Sequence, residues 1–182
     1  MNDPVAYWHP QTRAVRGGLS RSGFDETAEA LYLTSGFVSE SAAPAEAALK
    51  DEVEHYIYSR YGNPTVSTFE ERMRRVEGAE ACFATAAGMA AVFTAMAALC
   101  GAGDRVVASR ALFGSCFVIL DEILPRWGVE TVFVDGADLD QWREALSVPA
   151  TAVCLAAPSN PMLALVDIAG ATELAHAVGA PV

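Results

Sequence analysis

The sequence predicts an α/β fold in which a mainly parallel sheet carries helices on both faces. From Ala81 to Val182, short apolar runs alternate with longer amphipathic runs. Such alternation is typical of strands joined by crossover helices, which bring each strand back parallel to the one before it. The short runs are apolar, as expected for strands buried on both faces. With 52% hydrophobic residues and a mean hydropathy of +0.24, the chain also has enough apolar material for a sizeable core.

The first long helix is predicted to begin at Asn63-Pro64-Thr65 and to end at Gly78. Its apolar residues recur at helical spacing from Val66 to Val76, and Glu70 and Arg74 form an i,i+4 pair on the other side. Asn followed by Pro is a common helix start, and Gly is a common helix end. Both ends of this helix are therefore predicted from the sequence.

The alternation then predicts the remaining elements in order. Strands are expected over Ala81–Thr85, Arg105–Ser109, Glu130–Val134 and Thr151–Ala156, and helices over Met89–Cys100, Ser115–Leu124, Leu139–Leu146 and Ile168–Val178. The helix before Pro125 is expected to stop at that proline. Pro181-Val182 begins a further strand in the same rhythm, so we expect the chain to be a truncated part of a longer protein.

The segment before this pattern has a different character. Residues 1–63 contain scattered Gly, Pro, Ser and Thr residues and no long period. We interpret residues 1–63 as an extended N-terminal arm with short helical pieces. Residues 64–182 are then the first part of a larger α/β domain.

Charge and hydropathy exclude several classes of partner. The chain has 12 Lys plus Arg and 23 Asp plus Glu, for a formal net charge of −11. An acidic chain lacks the broad attraction to phosphate backbones and anionic lipid, so we expect no nucleic-acid and no membrane partner. Residues 1–20 lack the layout of a secretory signal, and Cys82–Cys100 is too interrupted for a membrane span. We therefore expect a cytoplasmic protein.

The cysteines and histidines suggest no metal site. The three histidines are far apart, and no cysteine pair has the spacing of a metal or redox motif. We assign the histidines no catalytic role. We expect the cysteines to be small core residues: Cys82, Cys100, Cys116 and Cys154.

Two segments are candidates for binding a phosphate. The run from Thr85 to Met89 passes from strand to helix through small side chains, and Gly88 would let backbone N–H groups approach an anion. The alternative is a close helix-to-sheet contact. Tyr58 and Arg60, on one side of an extended segment, offer a hydroxyl and a guanidinium fork. The alternative is a surface Arg beside a half-buried Tyr.

Two further candidates follow strands of the predicted sheet. Asn160, in Pro158-Ser159-Asn160-Pro161, follows a strand end where ligands of open α/β sheets collect, with an ordinary turn as the alternative. Phe113 is a candidate stacking platform for a flat ring, with core packing as the alternative. Gly101-Ala102-Gly103 lies after a helix and before a strand, which favours a tight turn over a dinucleotide site.

Taken together, a series of motifs resembles the Cys/Met metabolism family of pyridoxal-phosphate enzymes. The order and spacing match throughout nearly the whole chain, which corresponds to about the N-terminal half of such an enzyme. The resemblance implies the fold-type-I architecture. The motifs are Thr12–Gly18, Phe24–Leu31, Leu33–Gly36, Tyr58–Thr65, Gly88–Ala91, Leu112–Ser115 and Pro158–Met162.

The resemblance implies a role in binding pyridoxal 5'-phosphate for each candidate. Gly88 and Met89 would cradle the phosphate with backbone N–H groups, and Tyr58 and Arg60 would grip the phosphate of a neighbouring subunit's cofactor. Phe113 would stack on the pyridine ring, and Asn160 would contact its 3-oxygen. No catalytic residue is expected within this chain, because the family's Schiff-base lysine and ring-nitrogen acid lie downstream. Many relatives have Tyr at the position of Phe113, and they often have an acidic residue at the position of Ala156.

The implied activity belongs to the complete enzyme. The arm and the Leu112–Ser115 motif are most similar to the branch that acts on O-succinylhomoserine, replacing succinate with sulfide to give homocysteine for methionine biosynthesis. The complete enzyme is expected to be a homotetramer with active sites shared between subunits. The alternatives are cystathionine γ-synthase or methionine γ-lyase activity, or a non-catalytic assembly domain of the same fold, which the missing lysine and Ala156 favour.

Overall fold

Two units make up the chain in the computed structural model, which describes residues 7–182. Contacts divide the chain into one unit over Met1–Ala84 and a second over Thr85–Val182. The predicted boundary after Asn63 concerns the domains of a longer protein and stays a prediction. Among the described residues, no helix is long and apolar enough to cross a membrane.

Within residues 7–84, the first unit contains three helices and an irregular arm. They are α1 (Pro10–Arg16), α2 (Ala42–Leu49) and α3 (Pro64–Glu77). Helix α1 packs against α3, where Arg72 Nε donates a 2.9 Å hydrogen bond to the carbonyl of Gly17. Gly18 follows with φ +71°, and a Cβ there would lie 2.9 Å from the carbonyl oxygen of Thr68. Only glycine therefore allows the arm to leave α1 this close to α3.

Helix α3 has the predicted start and stop. Asn63 is its N-cap, because Thr65 N donates a 2.9 Å hydrogen bond to Asn63 Oδ1. Gly78 ends the helix in the left-handed conformation with φ +68°. Both sequence signals are confirmed.

The second unit is a three-stranded parallel sheet with helices on both faces. Its strands lie in the order β2-β1-β3, with Val107 of β1 opposite Val132 and Val153. The strands are β1 (Arg105–Ser109), β2 (Glu130–Val134) and β3 (Ala152–Cys154), and the helices are α4 (Gly88–Leu99), α5 (Gly114–Val118), α6 (Leu139–Ala145) and α7 (Ile168–Ala177).

Successive residues of β1 supply two separate cores. Val106 and Ala108 pack into a cluster with Met96 of α4 and the turns after α5, whereas Val107 packs with Trp142 of α6 and the alanines of α7. All three β1 residues are fully buried. Since side chains alternate across a strand, this arrangement confirms the predicted sheet covered on both faces.

The predicted strand over Ala81–Thr85 is not formed. In the described part of the chain no strand pairs with this segment, and Ala84 N donates instead to Glu70 Oε1 at 2.7 Å. The side chain of Phe83 is 86% exposed. A strand needs a neighbour to accept its backbone hydrogen bonds, so apolar character alone did not decide this segment.

Two helices also differ from their predictions. The helix that begins at Gly114 continues beyond Val118 as a wider π turn (Ile119–Ile123) and a 3-10 turn (Leu124–Trp127), so Pro125 does not stop the helical path. Proline is tolerated there because it lies at the start of the new turn, where its N–H is not needed. The apolar run over Met89–Cys100 predicts a buried helix, but of the residues of α4 only Met96 is buried.

Candidate functional site

The carboxyl ends of β1 and β3 lie at the same edge of the sheet, because these strands are parallel neighbours. Phe113 follows β1 and Asn160 follows β3, so the fold brings both predicted residues to this edge. Open α/β sheets bind their ligands in the crevice beyond the carboxyl ends of the strands. The edge is therefore the place in the second unit where a ligand is expected.

Helix α4 begins with the phosphate candidate Gly88. Thr85 Oγ1 donates to the carbonyl of Ala87 at 2.8 Å, and no described side chain caps the helix. A Cβ built on Gly88 would meet nothing within 4 Å, so open space surrounds the helix start. Uncapped N–H groups beside open space suit an anionic group.

Met89 links the start of α4 to the start of α5. Its Sδ lies 3.9 Å from Sγ of Cys116, which is in the first turns of α5. Phe113 precedes α5 as its N-cap residue, and its side chain is 46% exposed. The side chain is thus outside the core, which disfavours the core-packing alternative for Phe113.

One thiol behind these helix starts, that of Cys154, is held neutral. Burial, together with the nearby Cys116, raises the pKa of Cys154 to about 11. Cys100 is buried, whereas Cys82, Cys116 and Cys154 are partly buried, and all four are free thiols. The expectation of small core residues therefore holds fully only for Cys100.

The loop after β3 presents Asn160 outward. Ser159 is 1% exposed and holds the loop from inside: its N–H donates to the carbonyl of Ala164 at 2.9 Å, and its Oγ accepts from Ala164 N at 2.9 Å. The peptide bonds before Pro158 and Pro161 are both cis. Asn160 itself is exposed. The buried role of Ser159 was not predicted, and its position between two X-Pro steps is the sequence signal that could have indicated it.

Tyr58 and Arg60 lie in the first unit, where a turn brings them together. Tyr58 forms a single antiparallel bridge with Gly36, and Tyr61 N then donates back to the carbonyl of Tyr58 at 2.9 Å. The prediction of one extended segment is wrong here, because the chain turns after Tyr58. The guanidinium of Arg60 nevertheless lies 5.2 Å from the ring centre of Tyr58, and also 5.2 Å from that of Tyr61.

Lys50 is the only lysine of the chain. It follows α2, and its Nζ lies 2.6 Å from Glu46 Oε1. Its side chain is 56% exposed. A lysine that reacts with a carbonyl group needs a partly desolvated position, which a solvent-exposed ion pair does not supply.

Comparison with known proteins identifies the family. The sequence profile of the Cys/Met metabolism PLP-dependent enzymes matches residues 11–182. The chain belongs to this family. Pyridoxal 5'-phosphate is accordingly its cofactor, and the predicted architecture, a first part of the fold-type-I domain, is confirmed.

Among curated relatives, the similarity is high to O-succinylhomoserine sulfhydrylases. The chain is 70% identical over 171 residues to that of Mycobacterium tuberculosis strain CDC 1551, covering 94% of this chain and 42% of the relative. It is 44% identical to that of Pseudomonas aeruginosa, covering 93% and 42%. An L-methionine γ-lyase of Treponema denticola is 35% identical, covering 91% and 41%. The chain thus spans about 42% of the length of these relatives.

Solved structures show the same fold. A Campylobacter jejuni protein described as an O-acetylhomoserine (thiol)-lyase superposes with a TM-score of 0.86 at 26% identity, covering 95% of this chain and 43% of the other. That structure carries N'-pyridoxyl-lysine-5'-monophosphate. Cystathionine γ-lyase of Lactobacillus plantarum superposes with a TM-score of 0.80 at 28% identity, covering 95% and 43%.

The described residues fit parts of pyridoxal phosphate. The uncapped start of α4, with open space at Gly88, suits the phosphate group. The exposed ring of Phe113 and the exposed amide of Asn160 at the sheet edge suit a flat polar ring. The Arg60 guanidinium suits a phosphate. The donors therefore have the right chemistry for this cofactor.

Proposed function

We propose that the full-length protein is a pyridoxal-phosphate-dependent sulfhydrylase that acts on O-succinylhomoserine. In this γ-replacement, the C–O bond to succinate breaks at Cγ, a C–S bond to sulfide forms, and homocysteine and succinate are the products. The 70% identity to an O-succinylhomoserine sulfhydrylase over 171 residues carries the proposal. Membership of the pyridoxal-phosphate family supplies the class of chemistry.

The chain's own residues would bind and orient the cofactor. Backbone N–H groups of Gly88 and Met89 would hold the phosphate, and Tyr58 and Arg60 would reach the phosphate of a neighbouring subunit's cofactor. The ring of Phe113 would stack on the pyridine, and the amide of Asn160 would donate to the 3-oxygen. When bound, the cofactor supplies an electron sink for carbanion chemistry next to the amino group of the substrate.

We assign no proton transfer to these residues. Phe113 has no titratable group, and burial holds the Cys154 thiol neutral by raising its pKa. The only lysine here, Lys50, is paired with Glu46 in solvent. We therefore assign this chain to anchoring and orienting, and we propose that groups of the full-length protein outside these 182 residues move the protons.

The assembly and location follow from the same proposal. Tyr58 and Arg60 belong to the first unit, whereas Gly88 and Asn160 belong to the second. Donation of the first pair to a neighbouring copy is consistent with a homotetramer in which subunits share active sites. We place the enzyme in the cytoplasm, consistent with four free cysteines among the described residues.

Steady-state assays of the full-length protein with two acceptors test the function. With O-succinylhomoserine as donor, we expect sulfide to give homocysteine with a kcat/KM at least about tenfold above that for cystathionine formation from cysteine, a difference of ~1.4 kcal/mol. A preference for cysteine would assign the protein to cystathionine synthesis. The 35% identity to an L-methionine γ-lyase makes breakdown of methionine the second candidate. Turnover of methionine alone, without homocysteine synthesis, would support that candidate, and no turnover in any assay would support a non-catalytic assembly domain.

A further inference from the structure

One buried amide is among the groups that attach the turn carrying Tyr58 and Arg60 to the rest of the first unit. Asn63 is 6% exposed and lies between this turn and helix α3. Its Nδ2 donates two hydrogen bonds, one to the carbonyl of Tyr32 and one to Ser59 Oγ, both 2.9 Å long. Both amide hydrogens are thus used, and one of them holds the turn itself.

Ser59 attaches the turn to a second segment, which contains Thr34 and Ser35. Its hydroxyl donates to the carbonyl of Thr34, and its N–H donates to the carbonyl of Ser35 at 2.9 Å. The inner side of the turn is therefore fixed by Ser59 and Asn63, while Tyr58 and Arg60 are exposed on the outer side. Arg60 therefore directly follows a residue, Ser59, that is held by three hydrogen bonds.

The amide of Asn63 has two separable functions. Its Oδ1 accepts from Thr65 N at 2.9 Å and caps α3, which is a structural role at the helix start. Its Nδ2 makes no contribution to the cap and instead binds Ser59 of the turn and the carbonyl of Tyr32. Substitutions can therefore keep one role and remove the other.

We propose that Asn63 is a positioning residue for cofactor binding: its donated hydrogen bonds hold the turn in the conformation that presents Tyr58 and Arg60 to a phosphate. The inference rests on the proposed role of these two residues in the full-length enzyme. A phosphate grip works through fixed geometry, because a guanidinium fork binds two oxygens at once. Loosening the turn therefore weakens cofactor binding without removing any group that touches the cofactor.

The test compares two variants of the full-length protein. Asn63→Asp keeps the oxygen that caps α3 but replaces the donor with a second oxygen, which faces the carbonyl of Tyr32. The matched control is Thr65→Val, because Thr65 Oγ1 accepts from Tyr32 N at 2.9 Å and so also ties the arm to α3. This control loosens the arm and leaves the bond between Asn63 and Ser59 in place.

We expect the dissociation constant of pyridoxal phosphate, titrated into the apoenzyme, to rise about tenfold in Asn63→Asp and less than about twofold in Thr65→Val. At saturating cofactor, kcat of Asn63→Asp should stay within about twofold of wild type. The thermal midpoints of the two apoproteins should be similar. Equal cofactor affinities for the two variants, or a loss of kcat at saturating cofactor, would overturn the inference.

Two further variants separate this inference from the proposed function. Ser59→Ala removes the other side of the Asn63 bond; it should weaken cofactor binding, and its effect should not add to that of Asn63→Asp. If Asn63→Asp does not fold, Ser59→Ala tests the same contact. Unchanged cofactor affinity in Arg60→Ala would disprove the proposed grip itself. Weakened affinity in Arg60→Ala with wild-type affinity in Ser59→Ala and Asn63→Asp would disprove only the positioning role.

Discussion

Arg60 lies at equal distances of 5.2 Å from the ring centres of Tyr58 and Tyr61. These contacts keep a long, flexible cation close to the surface of the turn, which lowers the entropy lost when it binds a phosphate. At the residue scale, the arm therefore carries a partly preorganised guanidinium, which supports the proposed role of Arg60 in binding a phosphate.

Arg60→Ala in the full-length protein should weaken cofactor retention by about ten- to a hundredfold, since charge-assisted hydrogen bonds to phosphate are lost. Arg60→Lys should lie between this variant and the wild type, because an ammonium keeps the charge without the fork. Equilibrium dialysis of pyridoxal phosphate measures both. When wild-type and Arg60→Ala subunits are mixed in the proposed homotetramer, the wild-type neighbour of an Arg60→Ala subunit should be the one that loses cofactor. Loss confined to the mutant's own site would contradict the trans arrangement.

Glu71 predicts a pH dependence of stability in the first unit. Hydrogen bonds from Arg74, and next those from Arg75, lower the pKa of Glu71 from 4.5 to about 2. Because the folded-state pKa is the lower one, the stabilisation is complete above about pH 4.5 and is lost as the pH falls towards 2. The carboxylate is 33% exposed, so solvent screening keeps the contribution small.

Glu71→Gln should lower the free energy of unfolding by about 0.5–1 kcal/mol at neutral pH. The difference from wild type should shrink as the pH is lowered from 5 to 2.5, because the wild-type carboxylate is then progressively protonated. Urea unfolding at several pH values measures this difference. The control is Glu77→Gln, an exposed position on the same helix. A difference that grows on acidification would contradict the assignment.

At the scale of elements, the segment after β2 packs closely against the carboxyl end of β1. A Cβ built on Gly136, after β2, would lie 2.5 Å from Ser109 Oγ and 2.8 Å from Val166 Cγ2. Ser109 is the last residue of β1 and is fully buried. Nearby, Trp142 Nε1 donates to the carbonyl of Gly136 at 3.1 Å. The segment after β2 is thereby held against the end of β1.

Gly136→Ala should destabilise the protein by about 1–3 kcal/mol, because overpacking forces Ser109 and Val166 to move. Ser109→Ala should partly rescue this variant by removing the closer atom. Gly101→Ala is the matched control, since a Cβ there would lie 3.7 Å from its nearest neighbour, Asp104 Oδ2. Chemical denaturation measures all three. Equal stability of Gly136→Ala and wild type would show that the edge is loosely packed.

Strand β3 also has a hydrogen-bond partner near the end of the chain. The carbonyl of Pro181 accepts a 2.8 Å hydrogen bond from Val153 N, on the side of β3 that faces away from β1. Residues at the end of the chain therefore already lie beside β3, as a next strand would. Residues 181 and 182 form no strand in the structure, and the further strand at Pro181 stays a prediction.

For the molecule as a whole, the single lysine limits covalent attachment of pyridoxal phosphate. With Lys50 as its only lysine, exposed and paired with Glu46, the 182-residue chain should form no stoichiometric adduct with pyridoxal phosphate after borohydride reduction. Peptide mapping by mass spectrometry is the measurement, and the full-length protein treated in the same way is the positive control. A stoichiometric adduct on Lys50 with turnover of O-succinylhomoserine would require a different catalytic scheme.

Much of the second unit could be predicted because its signals are local. The predicted and observed limits agree for β1 and β2, whose apolar residues form short uninterrupted runs, and α6 and α7 differ from prediction by one residue at one end. The site candidates after β1 and β3 follow from strand ends, because parallel strands bring their carboxyl ends to one edge. The parallel direction of the strands is therefore enough to predict that these candidates lie at one edge of the sheet.

The sequence by itself determined the family, the alternation of strands and helices, and the start and stop of α3, since motif spacing, residue periodicity and caps act between residues close in the chain. Tertiary structure alone decided that residues 81–85 pair with no described strand, that Tyr58 and Arg60 meet through a turn, and that Asn63 and Ser159 hold their loops from inside. These features depend on backbone partners that are distant or unpredicted, such as Tyr32 for Asn63. Local patterns show which groups can form hydrogen bonds, but the partners of these groups are determined only in the folded chain.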